Sequence, residues 1–414
     1  MQSNILVGKR IVLGVTGSIA AYKAATLASH LTQQGGQVDV IMTEAATRFV
    51  APLTFQALTG RPVYANMWET GSTGGLGTHI AHVALAHAAD LLVIAPCTAH
   101  TLARLALGLS DDLLSVTVLA ARCPILIAPA MDAGMYENPA TQQHIAALRE
   151  RGVTIAGPAI GRMASGLEGQ GRFIEPEEVL GYCRYLLGRG GPLAGRHIVV
   201  TAGPTREALD PVRYLTNRSS GKQGFAIAQA ALDAGSDVTL ISGPVSLPTP
   251  VGAKRIDVES AEQMGQAVFA HACGDAQADA LIMAAAVADF RPAQFSDHKI
   301  KKAGSGGMSL DLTQTPDILL AVARQTHRPR VVVGFAAESD DLIGNAQAKR
   351  KHKGLDLIVA NDITATDAGF EADTNRVAFI TSDGINELPL MSKEEVAARL
   401  IAWLAEYLSA DSLP

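Results

Sequence analysis

Two glycine-containing turns hold the residues best suited to binding phosphate. Gly14-Val15-Thr16-Gly17-Ser18 and Asn217-Arg218-Ser219-Ser220-Gly221-Lys222-Gln223-Gly224 each precede an alanine-rich helical pattern. Free backbone N–H groups at a helix start, aligned with its dipole, favour an anion. The first turn lacks the dinucleotide fingerprint GxGxxG, so a mononucleotide phosphate suits it better than a pyrophosphate. The second is not a Walker motif, which needs GxxxxGK[ST]. Ahead of the apolar run Asp90–Ala95 stand His79, His82 and His87, a residue type suited to proton transfer. Such histidines are more often solvent-facing or satisfied by ordinary hydrogen bonds. Lys299, Lys301 and Lys302, and the run Lys349-Arg350-Lys351-His352-Lys353, supply charge that anionic substrates need; the ordinary reading of such a run is a solvated helix face. No His/Cys cluster has the spacing of a structural metal site.

The elements that must position these residues repeat. Arg10–Val15 is a strand-like apolar run, followed by the first turn, a helical pattern over 19–34 and a second strand, Val38–Met42. Arg196–Val200 repeats that opening, with a helix over 224–234 and a strand over 238–241. Further strands are expected at 90–95, 124–128 and 153–156, then at 279–284, 330–335, 356–360 and 377–381. Helices are expected at 261–273, 340–353 and 393–408. Each half thus reads as a three-layer α/β/α domain with a mostly parallel sheet, whose ligands sit beyond the carboxyl ends of the strands. In the second half about twenty extra residues separate the first strand from its helix, and loops that long are usually functional. Gly188–Gly195 has the glycine- and proline-rich composition of a linker, so the domains are expected at 1–189 and 190–414.

At 414 residues, two cores are the natural expectation. A net charge of −6 offers no broad basic surface for nucleic acid or an anionic membrane. The apolar runs fall far short of the ~20 residues of a spanning helix, and 1–10 has no signal-peptide pattern. The four cysteines, Cys97, Cys123, Cys183 and Cys273, lack CxxC spacing and read as small buried hydrophobes. A cytoplasmic protein is expected.

In the first half, Gly17-Ser-Ile-Ala-Ala-Tyr-Lys23, Thr43-Glu-Ala-Ala-Thr-Arg-Phe49, Ala95-Pro-Cys-Thr98 and Pro129-Ala-Met-Asp132 follow in order, three of them directly after expected strands. The series resembles the flavin-dependent peptidyl- and phosphopantothenoyl-cysteine decarboxylases. The resemblance implies a flavodoxin-like domain with FMN, with Gly17 and Ser18 at its phosphate, Thr43 nearby, and Ala95, Pro96 and Thr98 around the ring system. It implies His82 as catalytic base. In the mechanism the resemblance implies, the flavin would accept a hydride from the thiol end of the substrate, giving a C=S group able to take up the electrons released with CO₂, and would then return the hydride. Two positions depart from the family pattern. Its PAMN motif is Pro129-Ala130-Met131-Asp132 here, and an ionised Asp132 would repel the substrate carboxylate that the amide normally holds. A glycine-rich lid over 163–172 carries Ser165 where many members have an acidic cysteine, and a serine is too weak an acid to inherit its role.

The second half carries Ala284-Ala-Ala-Val-Ala-Asp289-Phe-Arg-Pro292, Lys299-Ile-Lys301-Lys302, Gly334-Phe335-Ala-Ala-Glu338 and Ala360-Asn361-Asp362. With the 201–224 loop, these resemble the bacterial phosphopantothenate–cysteine ligases over most of 196–380, implying a Rossmann-like domain. CTP would activate phosphopantothenate as an acyl-cytidylate, and the cysteine amine would displace CMP. Ala285, Ala286 and Phe335 would lie near the nucleotide, and Asp289 near a Mg²⁺-bound triphosphate. Pro316, Asp317, Ile318 and Leu319 would line the ribose, with Asp317 accepting from a hydroxyl. Lys299, Lys349 and Lys353 would neutralise phosphate, while Arg213 and Asn217 would handle the acyl intermediate. The family pattern further implies a homo-oligomer, a dodecamer of trimeric flavin domains and dimeric ligase domains. Two other readings are weaker. An NAD(P)-dependent oxidoreductase would use Glu44 at the ribose but lacks GxGxxG, and a regulatory flavoprotein would not need His82 beside a complete ligase half.

Overall fold

The computed structural model describes residues 4–67, 81–164, 166–301, 308–338, 341–362 and 372–410. The chain folds as two units, Gln2–Gly188 and Arg189–Pro414. Among the described residues no helix is long and apolar enough to cross a membrane.

The first unit is built on Arg10–Val15 (β1), whose side chains are apolar on both faces because helices cover both. Ile11, Leu13 and Val15 pack in one core with Ala24, Leu27 and Leu31 of the helix Ala21–Gln33, while Val12 faces a second core. Gln37–Met42 (β2), Val63–Tyr64 (β3), Leu91–Cys97 (β4), Ile125–Pro129 (β5) and Thr154–Ile155 (β6) complete a parallel sheet ordered β3-β2-β1-β4-β5-β6. Without the two-residue edge strand β3, the order is that of flavodoxin. The order reverses between β1 and β4, so the crevice for a ligand opens there. The expected strand at 153–156 is only two residues long, where β6 forms the sheet edge. The glycine-rich segment expected to be a lid forms a hairpin of Ala159–Arg162 (β7) and Glu168–Arg172 (β8). It sits directly on the β5 exit: Gly171 O accepts from Met131 N–H at 3.0 Å, and a Cβ on Gly171 would collide with the Met131 carbonyl.

In the second unit, His197–Ala202 (β9) belongs to the main sheet and leads into the long loop. That loop carries a small hairpin, Arg206–Ala208 (β10) and Tyr214–Thr216 (β11). Asp237–Ser242 (β12), Lys254–Asp257 (β13) and Ala280–Met283 (β14) follow, with a second hairpin of Phe290–Pro292 (β15) and Leu312–Gln314 (β16). Val331–Glu338 (β17) and Leu357–Asp362 (β18) extend the parallel sheet. Thr374–Asn375 (β19), Val377–Ile380 (β20), Ile385–Glu387 (β21) and Met391–Ser392 (β22) end the strands. The main sheet is ordered β13-β12-β9-β14-β17-β18-β20-β21, with β20 and β21 antiparallel. Its six parallel strands follow the Rossmann order, reversing between β9 and β14. Val199, Leu281, Val332 and Ile358 point to one face and pack with Met264, Ile318, Val322 and Ala346 of the covering helices. Strand alternation turns their neighbours to the other face, where the helices Lys222–Asp233 and Lys393–Ala410 pack together.

Candidate functional site

In the first unit, the residues expected around a flavin meet at the switch point. Thr16, the residue after β1, donates its hydroxyl to Pro96 O at 2.7 Å and accepts from Thr98 N–H at 3.1 Å. This buried hydroxyl ties the β1 and β4 exits together, placing Gly17 and Ser18 beside Ala95, Pro96 and Thr98. The Ala95–Pro96 peptide is cis. Gly17 must be glycine: a Cβ there would run into the Ala45 methyl, with the Ala45 carbonyl carbon 3.1 Å away. Thr43 accepts from Ala46 N–H at 3.3 Å, and Thr98 from Thr101 N–H at 3.2 Å, so both hydroxyls cap the helices that follow.

His82 is the second residue of the helix Ala81–Ala88 and is half-buried. That helix packs beside β1, which brings it to the same sheet. Asp132 caps the short helix Ala133–Glu137, Oδ1 accepting from Gly134 N–H at 3.1 Å. Aspartate and asparagine cap about equally well, so the helix start accommodates the departure from PAMN. Met131 is held by Gly171 O of β8. Ser165, His79 and Lys302 lie outside the described residues.

The second unit holds a cavity of about 700 Å³ over the carboxyl ends of β14 and β17. Asn217, Ala285, Ala286 and Asp289 line it from the β9 and β14 side, and Phe335, Lys349 and Lys353 from the β17 side. Pro316, Asp317, Ile318 and Leu319 complete that wall. The loop after β14 is pinned from below: Thr201 Oγ1 accepts from Ala285 N–H at 3.1 Å, and Thr205 Oγ1 from Ala288 N–H at 3.0 Å. Asn217 Nδ2 donates to Val287 O at 3.1 Å and Ala286 O at 3.4 Å. That fixes the amide orientation and leaves Oδ1 as an acceptor turned from those carbonyls. Gly224 lets the helix Lys222–Asp233 approach β9, since a Cβ would lie 2.5 Å from Ala202 Cβ.

Lys349 and Lys353 are one turn apart on the helix Leu342–Lys353, so they share the face that meets the cavity. Lys353 Nζ lies 2.9 Å from Asp317 Oδ2, while Asp317 Oδ1 caps the helix Ile318–Ala323 by accepting from Leu320 N–H at 3.0 Å. Burial pushes the Asp317 carboxyl up, but the Leu320 N–H and the Lys353 ammonium outweigh it and hold it below the usual range. Asp317 is therefore an ionised partner of Lys353 as well as a wall residue.

Two expected residues do not line this cavity. Arg213 is 43% exposed in its side chain and pairs with buried Asp210 at 3.0 Å. Its guanidinium also donates to Ile300 O, and Asp210 Oδ2 accepts from Ile300 N–H at 3.1 Å. Lys299, beside Ile300, is exposed. The β10–β11 hairpin thus grips the segment that carries Lys299. Among the described residues no group of three or more His, Cys, Asp or Glu side chains is placed to hold a metal. Sequence reasoning left out Asn375 and Lys393, which line the cavity together with Asn361 and with Gln223 of the second glycine turn.

Residues 2–187 match the family described as "Flavoprotein", and residues 193–408 that described as "DNA/pantothenate metabolism flavoprotein C-terminal domain". The coenzyme A biosynthesis bifunctional protein CoaBC of Vibrio vulnificus is 45% identical over 96% of this chain and 97% of its own. Its counterpart in Bacillus subtilis is 46% identical over 97% of this chain and 98% of that one. The one in Mycobacterium tuberculosis is 44% identical over 98% of both. With both halves matched in order along nearly its whole length, the chain belongs to the CoaBC family of bifunctional coenzyme A biosynthesis proteins.

Proposed function

We propose that this chain ligates cysteine to 4′-phosphopantothenate with CTP and decarboxylates the product to 4′-phosphopantetheine with FMN. The observation that carries the ligase reading is the cavity that gathers Asn217, Asp289, Asp317, Lys349 and Lys353 beyond the strand ends. We take 1–189 as the decarboxylase domain and 190–414 as the ligase domain.

In the ligase, Lys349 and Lys353 hold the triphosphate, and Asp317 fixes Lys353 while facing the ribose. Mg²⁺ carried by the nucleotide would take most of its ligands from phosphate oxygens, and Asp289 would add one carboxylate, the usual arrangement for this ion. The substrate carboxylate attacks the α-phosphorus and pyrophosphate leaves. The cysteine amine then attacks the acyl carbon, the amide bond forms and CMP departs. Asn217 Oδ1 orients the amine by accepting one of its N–H bonds. Arg213 acts through the 296–301 segment, bringing Lys299 to the phosphates when substrates bind.

In the decarboxylase, the turn at Gly17 and Ser18, at the β1 exit where the strand order reverses, would hold a single phosphate. Thr43, Ala95, Pro96 and Thr98 frame the remaining wall. FMN supplies the hydride acceptor and donor that makes CO₂ loss feasible. His82 moves the proton, Met131 lines the substrate side, and Asp132 holds its helix in place of the family asparagine. We place the protein in the cytoplasm, as a homo-oligomer, a dodecamer of flavin trimers and ligase dimers.

The test is purified protein with phosphopantothenate, cysteine, CTP and Mg²⁺, products followed by mass spectrometry. Phosphopantetheine and CMP are expected, with phosphopantothenoylcysteine accumulating in His82→Asn. Absence of CMP from folded, flavin-loaded protein refutes the ligase reading.

A further inference from the structure

The ligase cavity has a second cationic bank, away from Lys349 and Lys353. Lys222 and Lys393, first residues of the two helices packed on the other sheet face, both line it. Lys393 is 5% exposed. Its position conflicts with local rules: Ser392 and Glu395 form a capping box, Ser392 Oγ accepting from Glu395 N–H at 3.2 Å and Glu395 Oε2 from Ser392 N–H at 2.8 Å. The first turn of such a helix favours Glu394 and Glu395 and disfavours a lysine. A buried lysine at that point costs stability, and local conflicts of this kind gather at functional sites.

Beside it, Asn375 is 4% exposed and donates Nδ2 to Gln223 Oε1 at 2.9 Å. Gln223 Nε2 in turn donates to Lys393 O at 3.2 Å. This chain of amides fixes every orientation, and it leaves Asn375 Oδ1 buried with no donor. An orphaned acceptor in a cavity wall is a place for a ligand donor. Burial, and then the charge of Lys222, push the Lys393 ammonium down, a balance that an arriving anion reverses. Lys222 is paired with Asp373 at 2.5 Å, and Asp373 and Glu394 both bear on Lys393.

We propose that Lys393 and Asn375 read the phosphorylated arm of the pantothenate substrate, Lys393 binding its phosphate and Asn375 Oδ1 accepting from the hydroxyl two carbons away. This rests on the ligase reading and deepens it: the cavity takes two anions, and each bank of lysines receives one. Lys393 is then a specificity residue, selecting phosphorylated over unphosphorylated pantothenate.

The experiment measures kcat/KM for CMP release from phosphopantothenate and from pantothenate at saturating CTP, in wild type, Lys393→Met, Lys393→Arg and Asn375→Asp. Loss of a charge-assisted contact should lower the phosphopantothenate value about a hundredfold in Lys393→Met while the pantothenate value changes less than about threefold. Lys393→Arg should regain part of the preference, and the KM for CTP should stay within about threefold of wild type. Asn375→Asp places a carboxylate against the same phosphate and should compress the same ratio, which keeps the test available should Lys393→Met fail to fold. An equal loss on both substrates in folded variants, a rise in the KM for CTP instead, or an unchanged ratio overturns the proposal. A wild type that forms no CMP from phosphopantothenate refutes the ligase reading itself, a separate outcome.

Discussion

Methionine at Lys353 should weaken CTP binding more than methionine at Lys349, although both lysines line the cavity from one helix face. Lys349 is exposed, so its contact with a phosphate is worth the low end for a charged hydrogen bond, ~1.5 kcal/mol, or about tenfold in the KM for CTP. Lys353 is half-buried and paired with Asp317 at 2.9 Å. Removing it deletes a similar contact and leaves the Asp317 carboxylate facing a polyanion. Repulsion at about 4 Å adds ~1 kcal/mol even at the dielectric of water. The sum, ~2.5 kcal/mol, predicts a rise of about sixtyfold. The carboxylate share is separable, because asparagine caps the helix Ile318–Ala323 as well as aspartate does. Asp317→Asn in the Lys353→Met background should therefore recover about fivefold. CMP release against CTP concentration, at saturating phosphopantothenate and cysteine, reads all four values. Equal effects of the two lysine substitutions, or a double variant no better than Lys353→Met, would refute this assignment of charge.

Asp317 also sets an acid dependence. Its carboxyl is held below the ordinary 3.8, so its folded pKa is depressed and its stabilisation is complete above that value. The gap in unfolding midpoint between wild type and Asp317→Asn should be flat near neutral pH and shrink as pH falls below 3.8. Gly17→Ala should cost about 1–3 kcal/mol by overpacking against Ala45, with loss of bound flavin absorbance, both measurable by thermal unfolding and visible spectroscopy. Asp132→Asn should keep the unfolding midpoint, whereas Asp132→Ala loses the cap and about 1 kcal/mol. Burial pushes the Cys183 thiol up to about 12 and raises Cys97, Cys123 and Cys273. A thiol reagent at pH 8 should therefore reach no residue but half-exposed Cys123 in native protein, and all four cysteines in denaturant.

The parallel strands were readable because they are short apolar runs ending in glycine turns: Arg10–Val15 and His197–Ala202 announce themselves, and their exits locate both crevices. The small hairpins were not. β10 and β11 hold three residues each, among prolines and arginines, and take shape through the Asp210–Arg213–Ile300 contacts, which join residues far apart in sequence. The same holds for β7 and β8, where Gly171 allows close approach to Met131, a contact between residues far apart in sequence. Among site residues, Lys349 and Lys353 were picked out by the resemblance to the ligases, since their run by itself reads as a solvated helix face. Asn375 and Lys393 come from β19 and a helix start, and only tertiary folding brings them to the cavity. Lys393 did leave a trace, a lysine in a first turn otherwise acidic. The indirect placement of Arg213 and Lys299 could not be read from motif order, which records proximity in sequence but not which wall a side chain joins.

The most direct test of the central claim follows label from cysteine carrying ¹³C in its carboxyl group, supplied with phosphopantothenate, CTP and Mg²⁺ to the purified chain. The account predicts ¹³CO₂ and CMP in equal amounts, with His82→Asn stopping the ¹³CO₂ but not the CMP. CMP without ¹³CO₂ from flavin-loaded wild type would contradict the decarboxylase half, and ¹³CO₂ undiminished in His82→Asn would contradict its assigned base.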